Sequence, residues 1–351
     1  MHTRRQIFVS FGAACLAGCA PRGQFALATQ TQDAAGVQPI LVATTRAADP
    51  APIAYGDGRA DDLDFAQLSV SISGNHKIGE IEWPADNNPD PAHHFALVGA
   101  ETLPDLNVFS NRIKQQAEAE GHPETVLFVH GYNMTFAEGV YRHAQIAWDY
   151  GMTGPQVHFA WPSAADPLGY TYDRDSALAS RDGLVRLLMR LVRDGRRVAL
   201  VGHSMGGFLV MEALRQIALQ GDREILDGLA HVTLISPDLD IDLFLAQTRA
   251  IGDFPQPFAI AVTRNDRMLQ LSTRLSGGQP RLGQISDLDP LDGLGVLVVD
   301  MSQIEADGSN HFLAGSSPTA IALIRGLRDA QVRGAQDFAF GPVRITLGSG
   351  E

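Results

Sequence analysis

Short apolar runs alternate with stretches of helical periodicity along most of the chain. Early runs at 37–45, 68–72 and 95–98 are typical of strands. A regular alternation follows, with strands predicted at 125–129, 157–161, 197–201, 231–235, 258–262 and 296–300. Each is followed by a predicted helix, in turn at 135–150, 176–193, 205–220, 241–250, 266–275 and 318–328.

The predicted strands are short and almost entirely apolar, as in Val-Leu-Phe-Val at 126–129. A strand of this kind fits a sheet that is covered on both faces. Because strands alternate with helices, the connections must be right-handed crossovers between parallel strands. We predict one α/β domain over 37–345, with a doubly wound, mostly parallel sheet and helices on both faces.

The first residues have a different pattern. Two arginines precede an apolar stretch at 7–17, which is too short to span a bilayer and ends in Leu-Ala-Gly-Cys at 16–19. This resembles the lipobox of bacterial lipoproteins, and 3–8 resembles a twin-arginine export signal. We predict a signal peptide at 1–18, lipidation of Cys19 and a flexible tether at 19–36. The alternative is an ordinary signal peptide with an accidental cysteine.

Composition narrows the function classes. The formal net charge of −13 disfavours binding to nucleic acid. The two cysteines are Cys15, within the predicted signal peptide, and Cys19, so the mature body is expected to contain no disulfide or cysteine nucleophile. The predicted location is the bacterial cell envelope, where lipidated Cys19 holds an exported protein on the membrane. In a Gram-negative cell this is the periplasmic side of the outer membrane.

The sequence Gly-His-Ser-Met-Gly at 202–206 follows a predicted strand and opens a predicted helix. A serine in this tight turn is exposed at the carboxyl edge of a sheet, and small flanking residues are needed because helix and strand nearly touch. Ser204 is therefore the candidate nucleophile. A serine hydroxyl needs a base to become reactive.

The base is predicted by position. In this arrangement the chain order is serine, acid, histidine, and two histidines follow Ser204, namely His231 and His311. His231 begins its strand and so lies at the opposite edge of the sheet. His311 follows the last predicted strand, at the same edge as Ser204, and is the candidate base.

The acid is less narrowly defined. Asp266 follows the strand 258–262, the usual position for a carboxylate that orients the base. Asp238, Asp240 and Asp242, after the preceding strand, are the rivals. Their spacing suggests calcium, but Leu243 occupies the position where an EF-hand loop needs glycine, so we predict no metal site there. One of these acids is expected to cap a helix instead.

Negative charge on a reacting oxygen needs hydrogen-bond donors. The backbone N–H of Met205 is one candidate. The loop after strand 125–129 reads His-Gly-Tyr-Asn, and Gly131 allows a turn that points the Tyr132 N–H at the same place. His130 is expected to hold the loop rather than to react.

Several segments together resemble the bacterial α/β-hydrolase family of unknown function, often labelled esterase/lipase-like. The resemblance spans about 38–330 and is carried by the segments 75–84, 128–133, 161–163, 172–177, 180–181, 202–207, 236–238, 265–267 and His311. It implies the α/β-hydrolase fold, Ser204 and His311 as catalytic residues, and Asp266 as the matching acid.

These observations predict a serine hydrolase that acts on carboxylic esters, with a small-molecule or lipid ester as substrate and no cofactor. A catalytically inactive envelope lipoprotein that uses the fold for binding is an alternative, as is an amidase or peptidase. No feature of the sequence predicts an oligomeric state.

Overall fold

The protein is described by a computed structural model that covers residues 23–49, 55–86, 88–304, 310–332 and 344–347. Within these ranges the strands are β1 (Gly36–Ala48), β2 (Tyr55–Ile72), β3 (Ala96–Leu103), β4 (Glu124–Val129), β5 (Gln156–Ala160), β6 (Arg197–His203), β7 (Leu229–Ile235), β8 (Phe258–Val262), β9 (Val296–Asp300) and β10 (Arg344–Leu347). The helices are α1 (Leu106–Glu120), α2 (Phe136–Asp149), α3 (Tyr170–Ala179), α4 (Arg181–Arg193), α5 (Met205–Gln220), α6 (Arg223–Asp227), α7 (Ile241–Ile251), α8 (Arg267–Leu275), α9 (Leu313–Ser316) and α10 (Pro318–Val332). The predicted signal peptide and Cys19 lie outside the described residues.

All ten described strands form one sheet, in the order β10-β9-β8-β7-β6-β4-β5-β1-β2-β3. Neighbours from β9 across to β1 are parallel. Antiparallel pairs lie at the two edges, β1–β2–β3 on one side and β9–β10 on the other. The predicted mostly parallel sheet is confirmed.

Helices cover both faces of the sheet. Alternate residues of a strand point to opposite faces, and in the central strands both sets are apolar and need to be covered. In β4, Leu127 and Val129 belong to the large core that includes α4 and α5. Phe128, between them, packs with Ile146 of α2 and Ile321 of α10 on the other face. Each central strand is thus buried on both sides, as its apolar composition predicts. None of the described helices is both long and apolar enough to cross a membrane.

Several helices differ from the sequence prediction, among them the short α6 and α9, which were not predicted. The helix predicted at 176–193 is divided at Ser180, whose hydroxyl donates to the carbonyl of Ser176 (2.8 Å) and contacts the Thr45 hydroxyl (2.7 Å). Helix α1 was not predicted at all. Its buried apolar residues are Phe109, Ile113 and Ala117, and a stripe this narrow gives little helical periodicity.

Residues 23–28 lie packed on the domain, in contrast to the flexible tether predicted for 19–36. The ring of Phe25 packs edge-on against Phe136, with 5.6 Å between centroids. The Leu97 N–H donates to the Ala26 carbonyl, and the Leu97 carbonyl accepts from the Ala28 N–H. Small, polar residues without periodicity suggest flexibility, but the partly buried Phe25 ring, the buried Ala26 and the edge hydrogen bonds hold this segment on the domain.

Candidate active site

Ser204 lies in the turn between β6 and α5, with φ 53° and ψ −121°. This conformation is strained for a residue with a side chain, and it persists because the surroundings hold it. The Ser204 N–H donates to the Ile235 carbonyl at 2.9 Å. A Cβ at Gly206 would lie 2.4 Å from the carbonyl oxygens of Val129 and His130, so glycine is required where α5 begins against the end of β4. The structure therefore has the tight strand-to-helix turn that the motif predicts.

Asp266 lies just beyond the end of β8 and caps the N-terminus of α8. Its Oδ1 accepts hydrogen bonds from the N–H groups of Met268 (2.9 Å) and Leu269 (3.0 Å). Its Oδ2 lies 2.7 Å from Nδ1 of His311. The carboxylate is fully buried, so these contacts orient it rigidly.

The pairing with Asp266 determines the tautomer of His311. A carboxylate only accepts hydrogen bonds, so Nδ1 of the imidazole must carry the proton. In the neutral ring, Nε2 then has the lone pair that can accept a proton. His311 is therefore arranged as a base whose other nitrogen is held by an acid.

Ser204 and His311 line the same pocket, which has an empty volume of about 270 Å³. One wall comes from α8, the helix that Asp266 caps. This wall and the remaining lining consist of Met268, Leu269, Leu271, Ser272, Leu275, Tyr132, Tyr170 and Asp238. His311 and Ser204 thus open onto a common, largely apolar space, and Asp266 lies buried behind His311.

Asp238, the first rival acid, has other partners. It is buried, and its Oδ1 lies 3.2 Å from Nε of the equally buried Arg281. The same oxygen accepts from the Ser272 hydroxyl at 2.5 Å, and Oδ2 accepts from the Tyr170 hydroxyl at 3.1 Å. This carboxylate lines the pocket but is bound to these groups rather than to His311.

The other two rival acids lie at the start of α7. Asp240 caps the helix, since its Oδ1 accepts from the Leu243 N–H at 3.0 Å, and this confirms that one acid of the group is a helix cap. Asp242 is exposed in the first turn. In the part of the chain that the structure describes, no group of three or more histidine, cysteine or acidic side chains could hold a metal ion.

The two predicted backbone donors lie beside Ser204. A Cβ at Gly131 would be 3.0 Å from the Ser204 Cβ, so the loop after β4 passes directly against the serine. Met205 is the first residue of α5, where helical N–H groups have no partner within the helix. Among the described residues, neither the Tyr132 N–H nor the Met205 N–H donates to another group. Both are available to a bound oxygen.

The loop that carries Tyr132 is held by a buried carboxylate, Asp173. Its Oδ2 accepts from the Asn133 N–H (3.0 Å) and the Ser163 hydroxyl (2.6 Å), and its Oδ1 accepts from the Ala164 N–H (2.7 Å). Three of the segments that carry the family resemblance therefore meet at one side chain. These contacts together position the loop beside Ser204.

His203 is a neighbour of the site that sequence analysis does not single out, because it occupies the variable second position of the serine motif. Its ring lies 4.9 Å from the His311 ring and 4.1 Å from the Phe312 ring, measured between centroids. Burial holds its pKa well below the usual range, so the ring is neutral at pH 7. A neutral ring packs against His311 without adding a charge.

His130 has the structural role expected of it. The ring is buried and stacks on Trp161 with 4.7 Å between centroids. Nδ1 contacts the Gly131 carbonyl at 2.8 Å, and Nε2 contacts the Trp161 carbonyl at 3.1 Å. Burial lowers its pKa to about 3, so His130 remains neutral and fixes the turn after β4.

Comparison with known proteins assigns the family. Residues 107–328, more than half of the chain, match the family model described as an alpha/beta hydrolase of unknown function (DUF900). The chain belongs to this family. The matched region includes Ser204, Asp266 and His311. No protein of curated function matches the chain significantly.

Solved structures offer only distant likenesses. One is EstE1, a thermophilic carboxylesterase cloned from a metagenomic library, with 13% identity and a TM-score of 0.35, covering 86% of this chain and 89% of that one. Another is the Pyrobaculum calidifontis esterase, with 12% identity and a TM-score of 0.35, covering 85% and 87%. At these scores neither contributes to the assignment, which depends on the family model and the observed sheet.

Proposed function

We propose that this protein is a serine hydrolase of carboxylic esters, with Ser204 as nucleophile, His311 as base and Asp266 as the acid that orients it. The observation that carries the proposal is the 2.7 Å contact between His311 Nδ1 and Asp266 Oδ2, in the pocket that Ser204 also lines. A base held by an acid beside a strained serine is the constellation that acyl transfer requires.

In the first half of the reaction, His311 Nε2 takes the Ser204 hydroxyl proton while Oγ bonds to the ester carbonyl carbon. The carbonyl electron pair moves onto oxygen, where the Met205 and Tyr132 N–H groups stabilise the negative charge. When this intermediate collapses, the bond to the alcohol oxygen breaks and the imidazolium protonates the leaving alkoxide. The products of this half are the alcohol and an acyl-serine.

In the second half, water attacks the acyl-serine and gives its proton to His311. When the second intermediate collapses, the bond from its carbon to Oγ breaks, the imidazolium returns the proton to Oγ, and the carboxylic acid leaves. Asp266 remains a carboxylate throughout and stabilises the transient imidazolium. No step requires a cofactor. An ester is favoured over an amide because an alkoxide leaves more readily than an amine.

The pocket supports a small acyl group. The room it leaves for water-sized groups is only about 10 Å³, so a long acyl chain does not fit the pocket as it stands. Leu271 and Leu275 of α8 are partly exposed apolar residues at this pocket. We therefore expect short-chain esters to react faster than long-chain esters.

We further propose that lipidation of Cys19 holds the enzyme at the bacterial cell envelope. Gly23, four residues later, donates its N–H to Glu138 Oε1 at 2.9 Å, near the start of α2. Four residues span at most about 14 Å, so an anchor at Cys19 would keep this part of the domain close to the membrane. Replacement of Cys19 by serine should move the protein from the membrane fraction to the soluble fraction.

The proposed activity is tested with a fluorophosphonate probe and with p-nitrophenyl esters of graded chain length. We expect the wild-type chain to be labelled, and labelling to disappear in Ser204→Ala. The matched control is Ser272→Ala, which removes another hydroxyl that lines the pocket. Its labelling should persist.

The outcomes separate the alternatives. If the folded wild-type chain is neither labelled nor active, the enzyme proposal is wrong and a binding role remains. Labelling without ester hydrolysis, together with cleavage of the matching anilides, would instead indicate an amidase or peptidase.

A further inference from the structure

The segment at 75–84 includes His76, which lies between two carboxylates. Its Nδ1 is 3.1 Å from Glu82 Oε2, and its Nε2 is 2.8 Å from Asp149 Oδ1 at the end of α2. The side chains of His76 and Asp149 are nearly inaccessible to solvent. With a carboxylate at each nitrogen, the ring donates from both and is therefore a cation. The two carboxylates raise the pKa of His76 to about 9 despite the opposing effect of burial.

This ion cluster fixes the backbone at Gly79. The second oxygen of Asp149 accepts from the Gly79 N–H at 2.7 Å. Gly79 itself has φ 87°, and a Cβ there would lie 2.3 Å from the Ser316 carbonyl oxygen. The backbone of this segment thus lies directly against the backbone at the end of α9, a helix that begins two residues after His311.

Arg142 of α2 makes a second connection between the same two segments. Its guanidinium donates to the carbonyls of Gly79 (3.1 Å) and Gly315 (3.4 Å). It also lies over the Phe312 ring, 5.7 Å from the centroid. Phe312 in turn packs on His203, so the residue next to His311 is held from both sides.

We propose that His76, through Glu82, Asp149 and Arg142, is a positioning residue that holds the 310–316 segment and thereby places the His311 imidazole. The expected effect on catalysis rests on the proposed function, whereas the expected effect on the 310–316 segment does not. The Tyr150 hydroxyl also donates to the Ala314 carbonyl at 2.6 Å, so the Gly79 and Arg142 contacts act together with that bond to hold the segment after His311. Misplacement of a base by about 1 Å can lower a rate by about a hundredfold.

The experiment compares His76→Gln with wild type and with His93→Gln, a matched change at an exposed histidine on the neighbouring loop. Hydrogen–deuterium exchange is followed in peptides that cover 310–317 and 197–203. We expect at least tenfold faster exchange in 310–317 for His76→Gln and no change in 197–203. His93→Gln should match wild type in both peptides.

The kinetic part uses p-nitrophenyl acetate. We expect kcat of His76→Gln to fall by about tenfold to a hundredfold with KM within about twofold, because the described lining of the pocket contains no residue of this cluster. His76→Arg, which restores a cation between the two carboxylates, should recover most of kcat. If His76 only stabilised the fold, His76→Gln would lower the melting temperature but would not lower kcat at nearly unchanged KM.

Each result has a defined meaning. Unchanged exchange in 310–317 overturns the inference, whether or not the protein is an esterase. Faster exchange with an inactive wild type upholds the connection and rejects the proposed activity. If His76→Gln does not fold, Glu82→Gln, which removes the more exposed carboxylate, is measured in the same way. Its exchange in 310–317 should rise, and an unchanged value overturns the inference.

Discussion

Two histidine–carboxylate pairs in this molecule use the same chemical groups for different ends. Among the described residues, the carboxylate that contacts His311 is Asp266, at Nδ1, and the His311 ring lines a pocket beside Ser204. His76 contacts a carboxylate at each nitrogen and is held as a cation. A histidine with both nitrogens occupied cannot accept a proton, whereas one with a single carboxylate can. The number of acidic partners, rather than their presence, separates a candidate base from a structural ion pair.

The largest expected effect comes from replacing the acid of each pair. Asp266→Asn should lower kcat/KM for p-nitrophenyl acetate by about 10⁴-fold, because the amide favours the wrong tautomer of His311. Asp149→Asn, the equivalent change at His76, should lower it by about tenfold and act mainly on stability. Steady-state kinetics on both variants, with melting temperatures, decide the matter. Equal losses of activity would show that the two pairs do not differ in role.

A third buried carboxylate sharpens the comparison. Asp238→Asn leaves the buried Arg281 without its anion and should lower the free energy of unfolding by about 3–5 kcal/mol. The folded variant should retain activity within about tenfold of wild type. Urea unfolding and ester hydrolysis are the measurements. A loss of activity as large as that of Asp266→Asn, with unchanged stability, would identify Asp238 as the orienting acid instead.

Neutral and charged histidines should respond oppositely to pH. Burial lowers the pKa of His143 to about 3, so below about pH 6.5 the unfolded chain binds a proton that the native state does not. Stability should therefore fall as the pH drops from about 6.5 towards 3, and His143→Phe should recover about 2 kcal/mol of the loss between pH 7 and pH 5. The raised pKa of His76 contributes stability below about pH 6.5 that is lost as the pH rises through about 9. Urea unfolding at several pH values tests both expectations. If His143→Phe lost as much stability as wild type between pH 7 and pH 5, the expectation for His143 would be contradicted.

The smallest expected effect concerns the remaining rival acid. Asp240→Ala removes the cap of α7 and should lower the free energy of unfolding by about 1 kcal/mol. Activity should be unchanged, because this side chain contacts the Leu243 N–H rather than the pocket. Any loss of kcat above about tenfold would argue that the 238–242 group takes part in catalysis.

Much of the arrangement follows from local patterns in the sequence. The apolar runs at 125–129 and 197–201 predict central parallel strands because a strand buried on both faces needs apolar residues on both. The glycines around Ser204 predict the tight turn because only small residues fit where α5 meets β4. Chain order then predicts His311 over His231, and the structure brings His311 to the pocket that Ser204 lines.

Other features were decided only by the tertiary structure. Asp238 and Asp266 both follow strands at the same edge, and their different partners, Arg281 and His311, are distant in sequence. The ion cluster at His76 depends on Asp149, which is 73 residues away. Local pattern reports which face of an element is buried, but a side chain's partner across the sheet depends on how the elements pack. The sequence by itself therefore determined the type of sheet, the serine turn and the candidate base, whereas packing decided which acid holds that base and what supports its loop.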